Sequence, residues 1–386
     1  MTLSLWSTRP TDHCSFKAGY QQAGQLNQMY DMIKWPLDYF LKAWDPTKKV
    51  LTAQVGDGGA DHAFWGRPED MTMNRPCKQI STSNKGSDIA GETAAALAAS
   101  YIAFKDKGDD QYATQLLQAA ESLYLFAKTN RGVFSGSAAY YGSSGDQDEM
   151  CEAAVWLYRA TGNNDYLNDA KSFVETAWGW ALSWDDKKVA CQGSDIAGET
   201  AAALAASYIA FKDKGDDQYA TQLLQAAESL YLFAKTNRYA GNAAFMALLA
   251  AEAGIEPQTY RQWAAEQINY LLGDNNHNGG CFSYEIGYGN KYPEQPHHRG
   301  ASCPDRPAPC GSGQLNADAP SPQILQGALV GGPDASDNYN DRRTDYVQNE
   351  VATDYNSGFQ GALAGINSLL ASGDMPATNN KCPCKN

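Results

Sequence analysis

Helix-length segments with an apolar stripe follow one another along nearly the whole chain, separated by turns rich in Gly, Asn and Asp. In AGQLNQMYDMIKWPLDYFLKAW, Leu26, Tyr30, Ile33, Leu37 and Leu41 fall at helical spacing. Pro36 lies inside that segment and is expected to kink or interrupt it, because proline has no N–H for the carbonyl four residues back. ETAAALAASYIAFKDK is Ala-rich, with Leu97, Tyr101 and Phe104 on a stripe, and its small residues allow close packing. YATQLLQAAESLYLFAKTN turns Leu116, Ala120, Leu123, Tyr124 and Ala127 inward, and the polar turn DKGDD joins these two segments. EMCEAAVWLYRATG, ending at Gly162, is read as helix, as are NDYLNDAKSFVETAWGWAL, GNAAFMALLAAEAG, PQTYRQWAAEQINYLLGD and NEVATDYNSGFQGALAGINSLLAS. There is little β alternation. The economical architecture for such a series is all-α, a toroid of helical hairpins. Residues 1–373 are read as a single domain and 374–386 (DMPATNNKCPCKN) as a disordered tail.

One passage occurs twice. Residues 86–131 recur unchanged as residues 193–238, a run of 46 at an offset of 107. Solenoid repeats recur at shorter periods, usually more than twice, and diverge. The chain is therefore read as one fold with a passage copied into it.

Composition narrows the function. Net charge is −14, which disfavours nucleic acid because backbone phosphates would repel the surface. No apolar run approaches the ~20 residues of a membrane span, so no membrane partner is expected. Of the 22 Tyr, 12 Phe and 9 Trp, many are expected in the core, and others could serve as stacking platforms for flat sugar faces. The nine cysteines show no convincing zinc spacing. Cys303 and Cys310 bracket the Pro-rich PDRPAP and are the best candidates for a local disulfide, which points to an extracellular setting. MTLSLWSTRPTDHC does not read as a signal peptide, so secretion would require a different start.

Three passages carry candidate chemistry. GNKYPEQPHHRGASC places His297, His298 and Arg299 in a loop. Two adjacent histidines alone rarely hold a metal; donors aimed at sugar hydroxyls are the better reading, beside a bland surface role. NYNDRRTDYVQNEVATDYNSG gathers Asp341, Asp345, Glu350 and Asp354 with Tyr339, Tyr346 and Tyr355. Glycosidic cleavage needs two carboxyl groups, an acid for the leaving oxygen and a base or nucleophile on the other side. Glu350 is either such an acid or a carboxylate at the first turn of the last helix, favoured by the helix dipole. YYGSSGDQDEM groups Ser144, Gly145, Asp148 and Glu149 in a turn before a helix. That arrangement suits calcium's hard oxygen ligands, or simply the dipole of the following helix.

Together these passages resemble glycoside hydrolase family 9, the endoglucanases, and its animal-type members in particular. YNDRRTDYVQNEVATDYNS matches one family signature at Asp341, Tyr346, Glu350, Ala352 and Asn356. SYEIGYGNKYPEQPHHR is similar to the other, departing at Glu285, where members usually carry an apolar residue. QVGDGGADHAFWGRPEDMTMNRP, GSDIAGETAAALAA, AAVWLYRATG, SWDDKK and LVGGP are also family-like, so the likeness runs from about Ala23 to Ser372. The resemblance implies an (α/α)6 barrel, here incomplete at the N-terminus, that hydrolyses β-1,4-glucan with inversion. It implies Glu350 as general acid and His297 and Asp341 as the other catalytic-site positions. Arg299 completes the His-x-Arg motif. His62, Trp65, His298, Tyr355 and Arg238 are implied as substrate contacts. Ser144, Gly145, Asp148, Glu149 and Asp185 match a structural calcium site. No cofactor is required for catalysis; a monomer, secreted, is expected.

Two departures qualify the expectation. The family's Asp-Ala-Gly-Asp motif, whose aspartates activate the attacking water, has no counterpart here. The copied passage also replaces family sequence: Arg238 sits at the join, and the position of the family's platform Trp holds Ala234. Impaired turnover is therefore expected. A non-catalytic β-glucan-binding protein is the alternative, and a defective transcript product a third.

Overall fold

The computed structural model describes residues 16–136, 139–175, 185, 187–188, 237–252, 254, 256–334, 336–378 and 382. Two compact units share these residues. One comprises Met1–Gly56 with Arg75–Ser229, the other Asp57–Asn74 with Leu230–Asn386. The copied passage up to residue 236 lies outside the described residues.

The first unit opens with helices α1 (Lys17–Gln22) and α2 (Leu26–Ala43). Met29, Tyr30, Ile33, Leu37 and Phe40 form the buried face of α2. Leu26 and Leu41 are only half-buried, so Phe40 takes the place expected of Leu41. Pro36 lies inside α2 without ending it. A small antiparallel sheet follows, β1 (Trp44–Asp45), β2 (Val50–Val55) and β3 (Cys77–Ile80), in the order β1-β2-β3. Its short strands leave too few alternations to announce it in sequence. Helices α3 (Ser87–Lys107) and α4 (Asp110–Thr129) form the expected hairpin. Gly108, at φ 86°, ends α3, and the Asp109 carboxylate caps α4 by accepting the Tyr112 N–H. The five residues expected to face inward on α4 are all buried. Helix α3 is buried on almost every side from Ser87 to Ser100, as its alanine content allows. Helices α5 (Gln147–Thr161), closed by Gly162 in the left-handed conformation, and α6 (Asn164–Phe173) complete the described hairpins of this unit.

In the second unit, α7 (Asn237–Glu252), α8 (Pro257–Leu271) and α9 (Thr353–Ser372) pack together. The contact of α7 with α9 depends on missing side chains. A Cβ on Gly358 would meet Asn242 Oδ1 at 2.0 Å, and one on Gly361 would meet the Phe245 ring at 2.6 Å. Between α8 and α9 lies a long irregular region rich in Gly, Pro and Asn. Isolated β-bridges tie it together: Glu285 with Leu329, Val330 with Val351, and His297 with Glu350. Cys303 and Cys310 are joined by a disulfide, and Cys281 is bonded to Cys382 in the terminal segment. Cys77 is the free cysteine among those described, and it is exposed.

Candidate active site

The last helix starts later than its sequence suggests. Glu350 and Val351 form the bridges with His297 and Val330, and α9 begins at Thr353 after Ala352. Glu350 therefore precedes the helix rather than standing in its first turn, and the capping alternative does not hold. Its carboxylate accepts a hydrogen bond from the Tyr355 hydroxyl at Oε2. Tyr355 is buried, in the first turn of α9. On the other side, Gly331 N–H donates to the Glu350 carbonyl (2.9 Å) and Gly332 N–H to the Gln348 carbonyl (2.9 Å). A Cβ on Gly331 would lie 2.0 Å from the Val347 carbonyl oxygen, so the family-like LVGGP passage requires glycine here.

His297 runs parallel to Glu350. Its N–H donates to the Asn349 carbonyl at 2.7 Å. Its Nδ1 lies 2.6 Å from the Arg343 carbonyl, which can only accept, so Nδ1 carries a proton, and whenever the ring is neutral Nε2 is its acceptor. The ring stands edge-on to Trp65 (centroids 5.0 Å) and to Tyr346 (6.3 Å). Trp65 is fixed by its indole N–H, which donates to Ser302 Oγ at 2.9 Å. The segment carrying Trp65 is pinned by Arg67, which donates to the carbonyls of Pro304 (2.5 Å) and Ala308 (2.8 Å) inside the disulfide loop. Tyr346 is 67% exposed, an aromatic face open beside the histidine.

His298 has a different task. Its Nδ1 accepts the Ala301 N–H at 3.0 Å and so caps the short helix Arg299–Ser302. Burial, with Arg299 and His297 nearby, lowers its basicity. Arg299 contributes its carbonyl, which accepts Ser302 Oγ at 2.7 Å. His62 is exposed in the short helix Gly58–Ala63, its Nδ1 2.7 Å from the Gly58 carbonyl.

Asp341 accepts the backbone N–H groups of Glu294 (2.7 Å) and Gln295 (3.0 Å), just ahead of His297. Burial raises its pKa despite these bonds. The structure thus brings Glu350, His297, Tyr355, Trp65 and Asp341 into one connected network. The side chain of Arg238 lies outside the described residues. Three participants escaped the sequence reading. Asn349 bonds the Tyr339 hydroxyl through Oδ1 and the Asn340 carbonyl through Nδ2 (2.7 Å). Arg343 is buried, and Ser302 anchors Trp65. The Arg342–Arg343 doublet was the one available signal, since a charged residue in a signature loop must find acceptors wherever it is buried.

The candidate calcium ligands lie in the first unit. Asp185 accepts the Ser144 N–H (2.8 Å), Gly145 O accepts Ser143 Oγ (2.7 Å), and Asp148 accepts the Lys187 N–H (2.6 Å). Glu149 Oε1 lies 3.1 Å from Lys187 Nζ, while Oε2 is buried without a hydrogen-bond partner. These oxygens are hard donors, but most are committed to protein N–H or O–H groups. Among the described residues, no three His, Cys, Asp or Glu side chains converge as a metal site requires.

The described scaffold is built of helical hairpins, and its irregular region brings a carboxylate held by a buried tyrosine beside a histidine that meets two further aromatic rings. Comparison with known proteins assigns the class. The sequence matches Glycosyl hydrolase family 9 over residues 11–192, 188–238 and 234–363, the middle stretch covering the copied passage, and the chain belongs to that family. Endoglucanase B of Cellulomonas fimi is 39% identical over 374 residues, covering 90% of this chain. The chain spans only 34% of that relative's length. The endoglucanase of the termite Nasutitermes takasagoensis superposes with a TM-score of 0.81 at 42% identity, covering 95% of this chain and 84% of the termite chain. A C. cellulolyticum cellulase solved with cellobiose superposes at 0.78 with 31% identity, covering 95% and 84%. The fold is the (α/α)6 class of these enzymes. No helix among the described residues is long and apolar enough to cross a membrane.

Proposed function

We propose that the chain is an endo-β-1,4-glucanase that cleaves internal bonds of cellulose or a related β-glucan by single displacement. Glu350 protonates the leaving oxygen. The observation that carries this is the pairing of Glu350 with His297 across a backbone bridge, with Tyr355 on the carboxylate. Tyr355 stabilises the ionised form left after proton transfer and fixes which oxygen stays free. Trp65 and Tyr346, on either side of His297, are proposed to pack against glucose rings. His62, His298 and Arg299 are proposed to line the same path, as is Arg238.

Asp341 is proposed to act by holding the loop that delivers His297. Inversion requires a base across a gap of ~6.5–9.5 Å from the acid. These 386 residues contain no Asp-Ala-Gly-Asp tetrapeptide, and no base is assigned. Since general base catalysis is worth about 10²–10⁴-fold, slow turnover is expected.

Residues 1–373 are proposed to act as one catalytic domain and as a monomer. The chain is proposed to work outside the cell, where disulfides such as Cys303–Cys310 persist. Nucleic acid is not a proposed partner. Calcium is proposed only as a stabiliser at Ser144, Gly145, Asp148, Glu149 and Asp185, which would have to exchange their present hydrogen bonds for the ion, and it takes no part in the reaction. Millimolar calcium should raise the melting temperature over that in chelator, and identical melts would remove this site.

Proton NMR of freshly cleaved cello-oligosaccharides tests the reaction. Inversion produces the α-anomer first. Initial β-anomer would overturn the single-displacement mechanism, and binding without product would replace hydrolysis with glucan binding.

A further inference from the structure

Arg343 is the largest fully buried side chain described in the chain. Its guanidinium meets four oxygen acceptors: the carbonyls of Gln314 (2.6 Å), Ala317 (2.9 Å) and Ala319 (2.8 Å), and Ser321 Oγ (3.0 Å). No carboxylate lies within ion-pair distance of it among the described residues. Its Nε–H is buried without a partner. Burial lowers its basicity, opposed by the charge of Asp341. A buried cation surrounded by neutral acceptors is an expensive way to close a loop. What it supplies is geometry, because the planar fork orients several carbonyls at once.

The main chain of the same residue does something else. Its carbonyl receives Nδ1–H of His297. The side chain and main chain of Arg343 therefore join the 314–321 segment to the imidazole. A second link closes the circuit. Ser321 N–H donates to the Glu294 carbonyl (2.8 Å), and Asp341 holds the N–H groups of Glu294 and Gln295. The segment gripped by Arg343 thus braces the loop gripped by Asp341, from which His297 emerges. The side chain of Arg342, between Asp341 and Arg343 in sequence, makes an exposed pair with Asp318 (3.0 Å), the kind that adds little.

We infer that Arg343 is a positioning residue: by pinning residues 314–321 it holds the carbonyl that fixes His297 as the Nδ1–H tautomer with Nε2 as acceptor. This rests on the hydrolase reading for its effect on catalysis, but not for its effect on the imidazole.

The test is nitrogen-15 NMR of the imidazoles in the full chain and in Arg343→Met, with His297 assigned through His297→Gln, alongside steady-state kinetics on soluble cellulose derivative. Expected for the parent is a single neutral tautomer at His297 with the proton on Nδ1. In Arg343→Met the Nε2–H tautomer should become populated, and KM should rise about tenfold with kcat within about threefold. Arg343→Lys, which keeps the charge but not the fork, should rescue neither. An unchanged His297 tautomer in a folded Arg343→Met chain would overturn the inference whatever the activity. Absence of hydrolysis in all chains would sink the hydrolase reading alone, because the spectra still decide the tautomer. Should Arg343→Met fail to fold, Ser321→Ala removes one acceptor. It must shift the tautomer in the same direction, and no shift would overturn the inference.

Discussion

In the first unit, Glu92 and Glu149 are buried around one ammonium group. Lys187 Nζ lies 3.1 Å from Glu149 and 3.7 Å from Glu92. In the second unit, Asp341 and Glu350 have no ion pair among the described residues and rely on two backbone N–H groups and a tyrosine hydroxyl. Burial pushes Glu149 up to about 9 and Glu92 up to about 7, against the attraction of Lys187. Burial works against the charge on Lys187 too, but the surrounding glutamates hold it protonated. The contrast separates two uses of a buried carboxylate. Paired with a buried cation, it is bound into the stability of the fold. Held by oriented dipoles, it keeps a defined direction and can still exchange a proton. Polar groups of the second kind are what a proton-transfer site needs.

If that distinction is right, removing the cation of the first cluster should be costly to stability. Above pH about 9, where both carboxyls would be ionised, Lys187→Met strands Glu92 and Glu149, and a loss of about 3–5 kcal/mol in unfolding free energy is expected there, shrinking as pH falls through about 7. A loss below about 1 kcal/mol in urea titrations would mean that the glutamates are protonated and need no partner.

A change in the second unit should show the reverse. Gly331→Ala forces the strand against the Val347 carbonyl and displaces the backbone of Glu350. Turnover should fall about tenfold or more, since small misplacements of a catalytic group are expensive, while stability changes less than in Lys187→Met. Equal losses of stability in the two variants would erase the contrast.

A smaller effect sharpens it. Glu285 lies in the bridge to Leu329, and burial raises its carboxyl to about 7. A folded-state pKa above the unfolded value near 4.5 favours the folded state when the group is protonated. That contribution is complete below pH about 4.5 and is lost as pH rises through about 7. Glu285→Gln should therefore gain on the parent between these values, by on the order of 1–2 kcal/mol at pH 8 after allowance for partial exposure. A difference between the two chains that does not vary with pH would show that the Glu285 carboxyl titrates alike in the folded and unfolded chain.

The helices were legible because their spacing reports which face is buried. Leu116 through Ala127 fell where periodicity put them. The short β-sheet was not legible, since a two-residue strand at Trp44–Asp45 has no pattern to display. The residue types of the site were visible in the HHR and DRR passages, and so was the Cys303–Cys310 pairing. Their division of labour was not. His297 and His298 are adjacent in sequence and read alike, yet one faces the Arg343 carbonyl and the other caps a helix. Asp341 and Glu350 likewise differ only in what surrounds them. Those surroundings come from residues 294–295 and 355, and from the late start of α9, which no local propensity encodes.

Release of reducing ends from soluble carboxymethylcellulose, by the full chain beside Glu350→Gln, tests the central assignment most directly. Slow release by the parent is expected, reduced about a hundredfold or more in the variant, with both chains equally folded. Equal rates in the two would remove Glu350 as the acid, and no release from either would contradict the hydrolase assignment itself.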